Sequence, residues 1–281
     1  MSQPGASAPA RTYVGYAGVL AFVVLSGLAV SAGLWKVLTI GWVAFIAMAG
    51  AAIPGKRAAA SKHAGRLVWG YGLAAGAMVT SAAVFLLPQA FGFDPKVGGF
   101  GVAAGILLGF ASHTIGHRLA HLDLPFDATT AHLTAHSLTA GIIIGVVYAT
   151  LPELGLVLGL AIVSHKGPAG YAAARRLASN DKSTSIILLP AAGVGITAIL
   201  SGLVSLPASA QLNAAVFGFA AGIFLHIAMD FLPRCEVGGE VGEVAQLTDD
   251  AHALLDRLRV HAVVSTSLGA FAVLLAWLAV A

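Results

Sequence analysis

The sequence is short of charged residues, and this shortage decides its class. Only 10% of its 281 residues are Asp, Glu, Lys or Arg, whereas soluble proteins carry about 25%. Hydrophobic residues make up 58% of the chain. So few polar side chains cannot cover a water-soluble globule of this size. We therefore expect most of the chain to lie in a lipid bilayer.

Cysteine is the second scarce residue. The single cysteine, Cys235, excludes an internal disulfide and any zinc or iron–sulfur site built from several cysteines of this chain. The 15 basic and 12 acidic residues give a formal net charge of +3, an excess too small to predict a nucleic-acid partner. Histidine is abundant by comparison, with ten copies, and neutral imidazole is the commonest side-chain ligand for metal ions.

Long apolar runs account for most of the remaining sequence. A helix that crosses a bilayer needs about 20 mostly apolar residues. Most breaks between the runs carry turn-forming residues, such as Pro54-Gly55 and Pro207. We predict an all-α polytopic membrane protein with nine transmembrane helices: 13–34, 37–53, 67–91, 97–117, 128–150, 154–174, 185–206, 212–232 and 260–281. A cleaved signal peptide is the alternative for the first run, but that run is long for one, so we interpret it as a retained helix.

The basic residues predict the orientation of these helices. With the N-terminus in the cytoplasm, 12 of the 15 lysines and arginines fall on the cytoplasmic side. Lys36 and Lys96 fall outside, and Lys166 lies within the sixth span. Because cytoplasmic loops are enriched in Lys and Arg, we predict a multi-pass protein of the cell membrane with a cytoplasmic N-terminus and an external C-terminus.

Several ionisable residues fall inside the predicted spans, where they are costly and usually functional. Counted at 1.5 Å per residue from the cytoplasmic helix ends, His136 and His165 lie about 12 and 14 Å deep. Met78 lies about 16 Å deep by the same count. The other members of this layer are His113, His117, His132, Lys166, His226 and Asp230. The shared depth predicts a site, although a lone intramembrane histidine more often bonds a neighbouring helix.

The spacing of the histidines predicts that they line a path along the helices. His113 and His117 are four residues apart and share one helix face, and His132 and His136 repeat the pattern on the next helix. We interpret them as a ladder from the middle of the membrane to the cytoplasmic mouth. Imidazole with thioether or hydroxyl ligands suits borderline divalent metals such as zinc.

Four segments carry motifs of a known family. The third span reads GLAAGAMVTSAAVFLLPQA from Gly72, and the fifth contains HSLTAG at 136–141. The sixth contains HKGPAG at 165–170, and the eighth reads AAGIFLHIAMDFLP at 220–233. In this order, the chain from about Val37 onward resembles the ZIP (Zrt/Irt-like) family of divalent-metal transporters. The resemblance implies an eight-helix transport domain over 37–281 with a cytoplasmic loop at 233–259, an extra helix in the N-terminal segment 1–36, and a homodimer.

The resemblance also implies a site and shows where this chain departs from the family. It implies metal ligands at His136, Ser137 and His165, with Met78 as a thioether ligand. From the depth of the side chains, we add His113 or His226 as a further ligand. The family's acidic positions are occupied by Ala140, Lys166 and Ala169. Without carboxylates, two divalent cations would repel each other in a low-dielectric site. We therefore predict a single-metal site.

Lys166 is the sharpest departure and admits two interpretations. Because a lipid-facing lysine is costly, we expect its side chain to point into the helix bundle. It then either substitutes for the charge of a missing second metal ion, or pairs with Asp230 or helix carbonyls in an inactive scaffold.

The sequence therefore leads to one preferred function and two alternatives. The preferred function is transport of a zinc-like divalent metal ion toward the cytoplasm, with no enzymatic activity and no prosthetic group. One alternative is a ZIP-derived protein that acts as a sensor or as a carrier of another solute. The other is an intramembrane metal hydrolase, which needs a general base, and Asp230 is the only carboxylate near the layer.

Overall fold

The architecture is known from a computed structural model. It describes residues 8–59, 64–119, 128–151, 156, 159, 163, 165–204, 207, 209–233, 235, 241 and 252–279. All regular structure within these residues is helical, in agreement with the predicted all-α class. The α-helices are α1 (Ala8–Ser31), α2 (Trp35–Ala58), α3 (Ala64–Ser81), α4 (Leu87–Phe93), α5 (Pro95–Leu119), α6 (Ala128–Thr150), α7 (Lys166–Ser179), α8 (Leu188–Gly202), α9 (Ala210–Phe231) and α10 (His252–Leu278).

Seven of the described helical segments are long and apolar enough to cross a membrane. They are Tyr13–Ser31, Trp35–Ala58, Ala64–Phe93, Leu133–Thr150, Thr184–Gly202, Ala210–Phe231 and Ala253–Leu278. The described apolar part of α5, Pro95–Ala111, is shorter. Most of the predicted sixth span, 154–174, precedes α7 and lies largely outside the described residues. The chain is thus a multi-pass helical protein, and seven of the nine predicted spans have a counterpart of spanning length.

The second helix does not stop where the sequence suggested. Pro54-Gly55 was expected to end this span, yet α2 continues through Pro54 to Ala58. Proline lacks the backbone N–H that would bond to the carbonyl four residues earlier, yet the helix continues for about one further turn after Pro54. Gly55 then packs directly on α7, where an added Cβ would lie 3.0 Å from the Cβ of Ala174.

A π-helical turn, Ala82–Leu86, joins α3 to α4. Pro88 stands in the first turn of α4, where a missing N–H is tolerated. The extra residue of a π-turn shifts the helix face that follows it, so α3 and α4 present different faces to α9. The sequence motif around Pro88 predicted one continuous span here and gave no signal of the π-turn.

The helices pack in four close pairs. These pairs are α2 with α7, α3 with α10, α5 with α9, and α6 with α8. Glycines allow the backbones to approach closely, as is usual between membrane helices. An added Cβ on Gly222 of α9 would lie 2.9 Å from the Cα of Gly105 on α5. The large hydrophobic core lies between these pairs and includes Phe217 and Phe224 of α9.

Candidate functional site

The centre of the candidate site is a contact between two histidines. His136 lies on α6, and His165 immediately precedes α7. Their Nε2 atoms are 3.1 Å apart, and their ring centroids are 5.3 Å apart. His165 is only 1% exposed. The depth count placed these two side chains in one layer, and the structure brings them into direct contact.

Lys166 completes a group of three nitrogens. It is the first residue of α7, and its Nζ lies 3.1 Å from the same Nε2 of His136. Its side chain is 0% exposed and is among the largest fully buried side chains of the described residues. The expectation that Lys166 points into the bundle is therefore correct.

Both contacts converge on one atom, the Nε2 of His136. A neutral imidazole nitrogen either donates one hydrogen or accepts at one lone pair. When Lys166 is an ammonium it donates to this nitrogen, and the Nε2–H of His165 would then compete for the same lone pair. His136 therefore cannot form two full-strength hydrogen bonds here, and the three nitrogens make a compact group of competing donors.

An aromatic wall borders the histidines. The ring of Phe224 on α9 meets His165 edge-on, with centroids 5.3 Å apart and ring planes 86° apart. Phe224 itself is buried in the hydrophobic core. A buried apolar wall excludes water and strengthens electrostatic interactions between the nitrogens it covers.

Ser137 lies beside this group but contacts another helix. Its side chain is fully buried, and its Cβ lies 4.0 Å from the position that a Cβ on Gly193 of α8 would occupy. Its Oγ has no hydrogen-bond partner among the described residues. Ser137 therefore offers a free hydroxyl at the contact between α6 and α8, and its assignment as a metal ligand stays a prediction.

His226 and Asp230 form a separate pair one helical turn apart on α9. The His226 Nε2 and Asp230 Oδ2 atoms are 3.6 Å apart. The His226 ring packs on Gly109 of α5, where an added Cβ would lie 2.5 Å from the ring atom Cδ2. The described hydrogen bond of Lys166 is thus with His136, whereas Asp230 is paired with His226.

The remaining predicted ligands are placed only in part. Met78 is fully buried on α3 and belongs to the same hydrophobic core as Phe224. His113 and His117 lie on α5 and His132 lies on α6, but their side chains fall outside the described residues. Their predicted role as a ladder to the cytoplasm therefore stays a prediction.

Among the described residues, no group of three or more His, Cys, Asp or Glu side chains could hold a metal ion. The two histidines that do meet have a lysine as their third neighbour. A metal ion at this position would need its further ligands from water, or from side chains outside the described part of the chain.

No protein-family model matches the sequence, and no curated protein matches it either. Any assignment of family therefore depends on the motifs and on the geometry described above.

Sequence reasoning did not find the contact between Lys166 and His136. The two partners considered for Lys166 were Asp230 and helix carbonyls. The depth count could have indicated the correct one, because Lys166 is adjacent to His165 and therefore lies at nearly the depth of His136. Depth alone does not specify the rotation of each helix about its axis, which selects the partner.

Proposed function

We propose that this protein is a divergent ZIP-like transporter that moves a zinc-like divalent metal ion toward the cytoplasm. Its proposed metal site is single and centres on His136 and His165. The observation that supports it is their Nε2–Nε2 distance of 3.1 Å. Two imidazole nitrogens bound to one tetrahedral zinc ion, each at 2.0–2.1 Å, are about 3.3 Å apart. The observed separation is within a few tenths of an ångström of this value, and the two rings would also have to turn so that both lone pairs point at the ion.

The charge distribution supports one ion rather than two. The buried positions Ala140 and Ala169 carry no charge, and Lys166 contributes a cation. The Lys166 ammonium and a metal ion cannot share the single lone pair of His136, so an entering ion displaces Lys166 from this nitrogen. In this proposal the lysine supplies, as a tethered cation, the charge that a second metal ion would supply.

The proposed architecture places this site in a larger pathway. It comprises nine transmembrane helices, with the extra helix in 1–36 and the transport domain in 37–281. His113, His117 and His132 form the route to the cytoplasm, and Met78, Ser137, His226 and Asp230 are additional ligands along it. The protein functions as a homodimer in the cell membrane, with its N-terminus in the cytoplasm and its C-terminus outside. The distribution of basic residues supports this orientation.

Cysteine labelling tests the orientation. In a Cys235→Ser background, single cysteines at Lys96→Cys and Lys182→Cys should react from opposite sides of sealed membranes with an impermeant maleimide. Both positions are exposed in the structure, so failure to react at all would not arise from burial. Labelling of both from the same side would refute the proposed topology.

The amount of metal bound by the purified protein tests the function. After dialysis against zinc, the expected result is one ion per chain by elemental analysis. Two ions per chain would contradict the single-site proposal, because the described site lacks the carboxylates that offset a second cation.

A second candidate has its own supporting observation. The hydrogen bond between Lys166 and His136 already occupies the nitrogen that a metal ion needs. This arrangement favours a ZIP-derived protein with a degenerate site, which acts as a sensor or carries another solute. A result of zero ions per chain would favour this candidate.

A further inference from the structure

A cavity of about 610 Å³ opens where the ends of three elements meet. These elements are α1, the last turn of α2, and a short 3₁₀ turn, Thr184–Ile187, that leads into α8. Small-molecule pockets typically measure about 300–1,000 Å³, so the cavity can hold an organic group rather than one or two waters. It lies apart from the histidine site, and none of the proposed metal ligands lines it.

Close packing holds the walls of this cavity in place. At Gly15, an added Cβ would lie 2.6 Å from the Ser185 carbonyl oxygen, so α1 rests directly on the 3₁₀ turn. On the opposite wall, α2 is fixed by the contact of Gly55 with α7. Glycine at both contacts lets the helices approach closely. The cavity is therefore built into the helix packing.

The polar end of the cavity is basic. Lys56 and Arg57, in the last turn of α2, line it, and both are exposed. The hydroxyl-bearing residues Thr184 and Ser185 line it as well, and none of the lining residues is acidic. A guanidinium, an ammonium and hydroxyls together match the oxygens of a phosphate group.

The cavity is also lined by apolar side chains that are largely exposed. Tyr16 of α1 and Ile53 of α2 line it, and they are 57% and 58% exposed. A free phosphate ion would leave these side chains uncovered. An acyl chain would cover them and continue along the lipid-facing side of α1 and α2.

We propose that this cavity binds an anionic phospholipid, with its phosphate group at Lys56 and Arg57 and one acyl chain against Tyr16 and Ile53. Basic pockets between transmembrane helices on the cytoplasmic side are suited to such headgroups. The cluster of basic residues predicted to face the cytoplasm includes Lys56 and Arg57, so the pocket opens at the cytoplasmic leaflet in the orientation proposed above. This site is independent of the metal site and goes beyond the proposed transport function.

Native mass spectrometry of the full chain tests the proposal. The probes are dioleoyl phosphatidylglycerol and dioleoyl phosphatidylcholine, titrated into detergent-solubilised protein. We expect the wild-type protein to bind phosphatidylglycerol more tightly than phosphatidylcholine. The double variant Lys56→Gln/Arg57→Gln should weaken that binding about tenfold or more, because each basic residue contributes substantially to the attraction of an anionic lipid. Binding of phosphatidylcholine should be unchanged.

Two further variants separate the cavity from general surface charge. Arg176→Gln removes an exposed arginine at the end of α7 that does not line the cavity, and it should leave binding within twofold. Ala52→Trp fills the cavity without a change of charge and should weaken binding as much as the double variant. Equal effects of Arg176→Gln and the double variant would overturn the proposal, as would unaltered binding in Ala52→Trp.

Competition with inorganic phosphate is the final test. If phosphate at millimolar concentration displaces phosphatidylglycerol completely, the site recognises a free anion and the proposal is wrong. Lipid binding and its loss in the double variant should not depend on zinc. Metal stoichiometry measured on the same samples therefore reports separately on the transport proposal.

Discussion

Two histidine contacts in the membrane-spanning region differ in the kind of charged side chain that lies beside the imidazole. On α9, His226 faces the carboxylate of Asp230, a partner whose negative charge can offset a proton on the imidazole. Between α6 and α7, His136 faces His165 and the lysine nitrogen of Lys166. The first pair places an acid and an imidazole one turn apart on a single helix. The second brings two imidazoles and a lysine side chain together from α6 and the start of α7.

The comparison concerns charge, because a carboxylate lies beside one imidazole and an amine beside the other. A buried cation without an anionic partner is costly, and no metal-binding group of acids and histidines occurs among the described residues. Three experiments can break or sharpen this contrast between the two histidine contacts, and a fourth tests a buried thiol elsewhere in the chain.

The largest expected effect is on the central histidines. His136→Ala or His165→Ala should weaken zinc binding at least about 100-fold, because loss of a direct ligand exceeds the 10- to 100-fold cost of losing an outer partner. Isothermal titration calorimetry measures this affinity. His261→Gln is the matched control, since His261 contacts Trp69 on α3 rather than the site. Normal zinc affinity in both alanine variants would show that the metal site lies elsewhere.

Removal of the lysine charge should have the next largest effect, in the opposite direction. Lys166→Gln should raise zinc affinity about tenfold, because the repulsion between an ammonium and a divalent ion in a low-dielectric site disappears. Lys166→Arg keeps the charge and should bind as weakly as the wild type. If the wild type and Lys166→Gln bind zinc with the same affinity, then Lys166 does not take the place of a second metal ion. Loss of folded protein in Lys166→Gln alone would indicate that its bond to His136 holds α6 and α7 together.

The His226–Asp230 pair should affect stability more than binding. Asp230→Asn should lower the free energy of unfolding by about 1 kcal/mol or less, as is typical of polar contacts between membrane residues. Zinc affinity should change less than tenfold. Unfolding in mixed detergents, followed by circular dichroism, measures the stability. A loss of zinc binding as large as that in His136→Ala would place this pair in the same site and remove the contrast.

The smallest effect concerns a thiol beyond the end of α9. Burial raises the pKa of Cys235, and the positive charge of Arg259 partly offsets that rise. The thiolate is the reactive form, so Cys235 should react with maleimide more slowly at pH 7 than an exposed cysteine. Its reaction rate should continue to rise with pH above the ordinary thiol range. Arg259→Gln should slow the reaction further, and a faster reaction in this variant would contradict the assigned roles.

Apolar length predicted the helical class and most of the spans, because burial of a helix in lipid depends on composition summed over many residues. Local packing between helices determined the helix ends and turns that the sequence did not predict. Pro54 did not end α2, since Gly55 fits against α7. The π-turn at Ala82–Leu86 and the cavity beside Lys56 depend on how neighbouring helices meet.

The candidate site shows the same division. Residue counting placed His136 and His165 at one depth, and the structure brings them together. It did not identify Lys166 as a neighbour of His136, nor did it direct Ser137 toward Gly193 of α8. Depth is a one-dimensional quantity that the chain direction provides, whereas contact also requires the rotation and tilt of each helix.

The pairing of helices has a consequence for how this site responds to movement. His136 belongs to the α6–α8 pair, and His165 and Lys166 stand at the start of α7, which packs on α2. The three nitrogens therefore bridge two close-packed units, and among the described residues α6 and α7 make few other contacts. A slide of one unit past the other by 1 Å would weaken both 3.1 Å contacts at once. The three nitrogens are thus sensitive to helix alignment, because the relative position of the two units sets whether they remain within hydrogen-bond distance of one another.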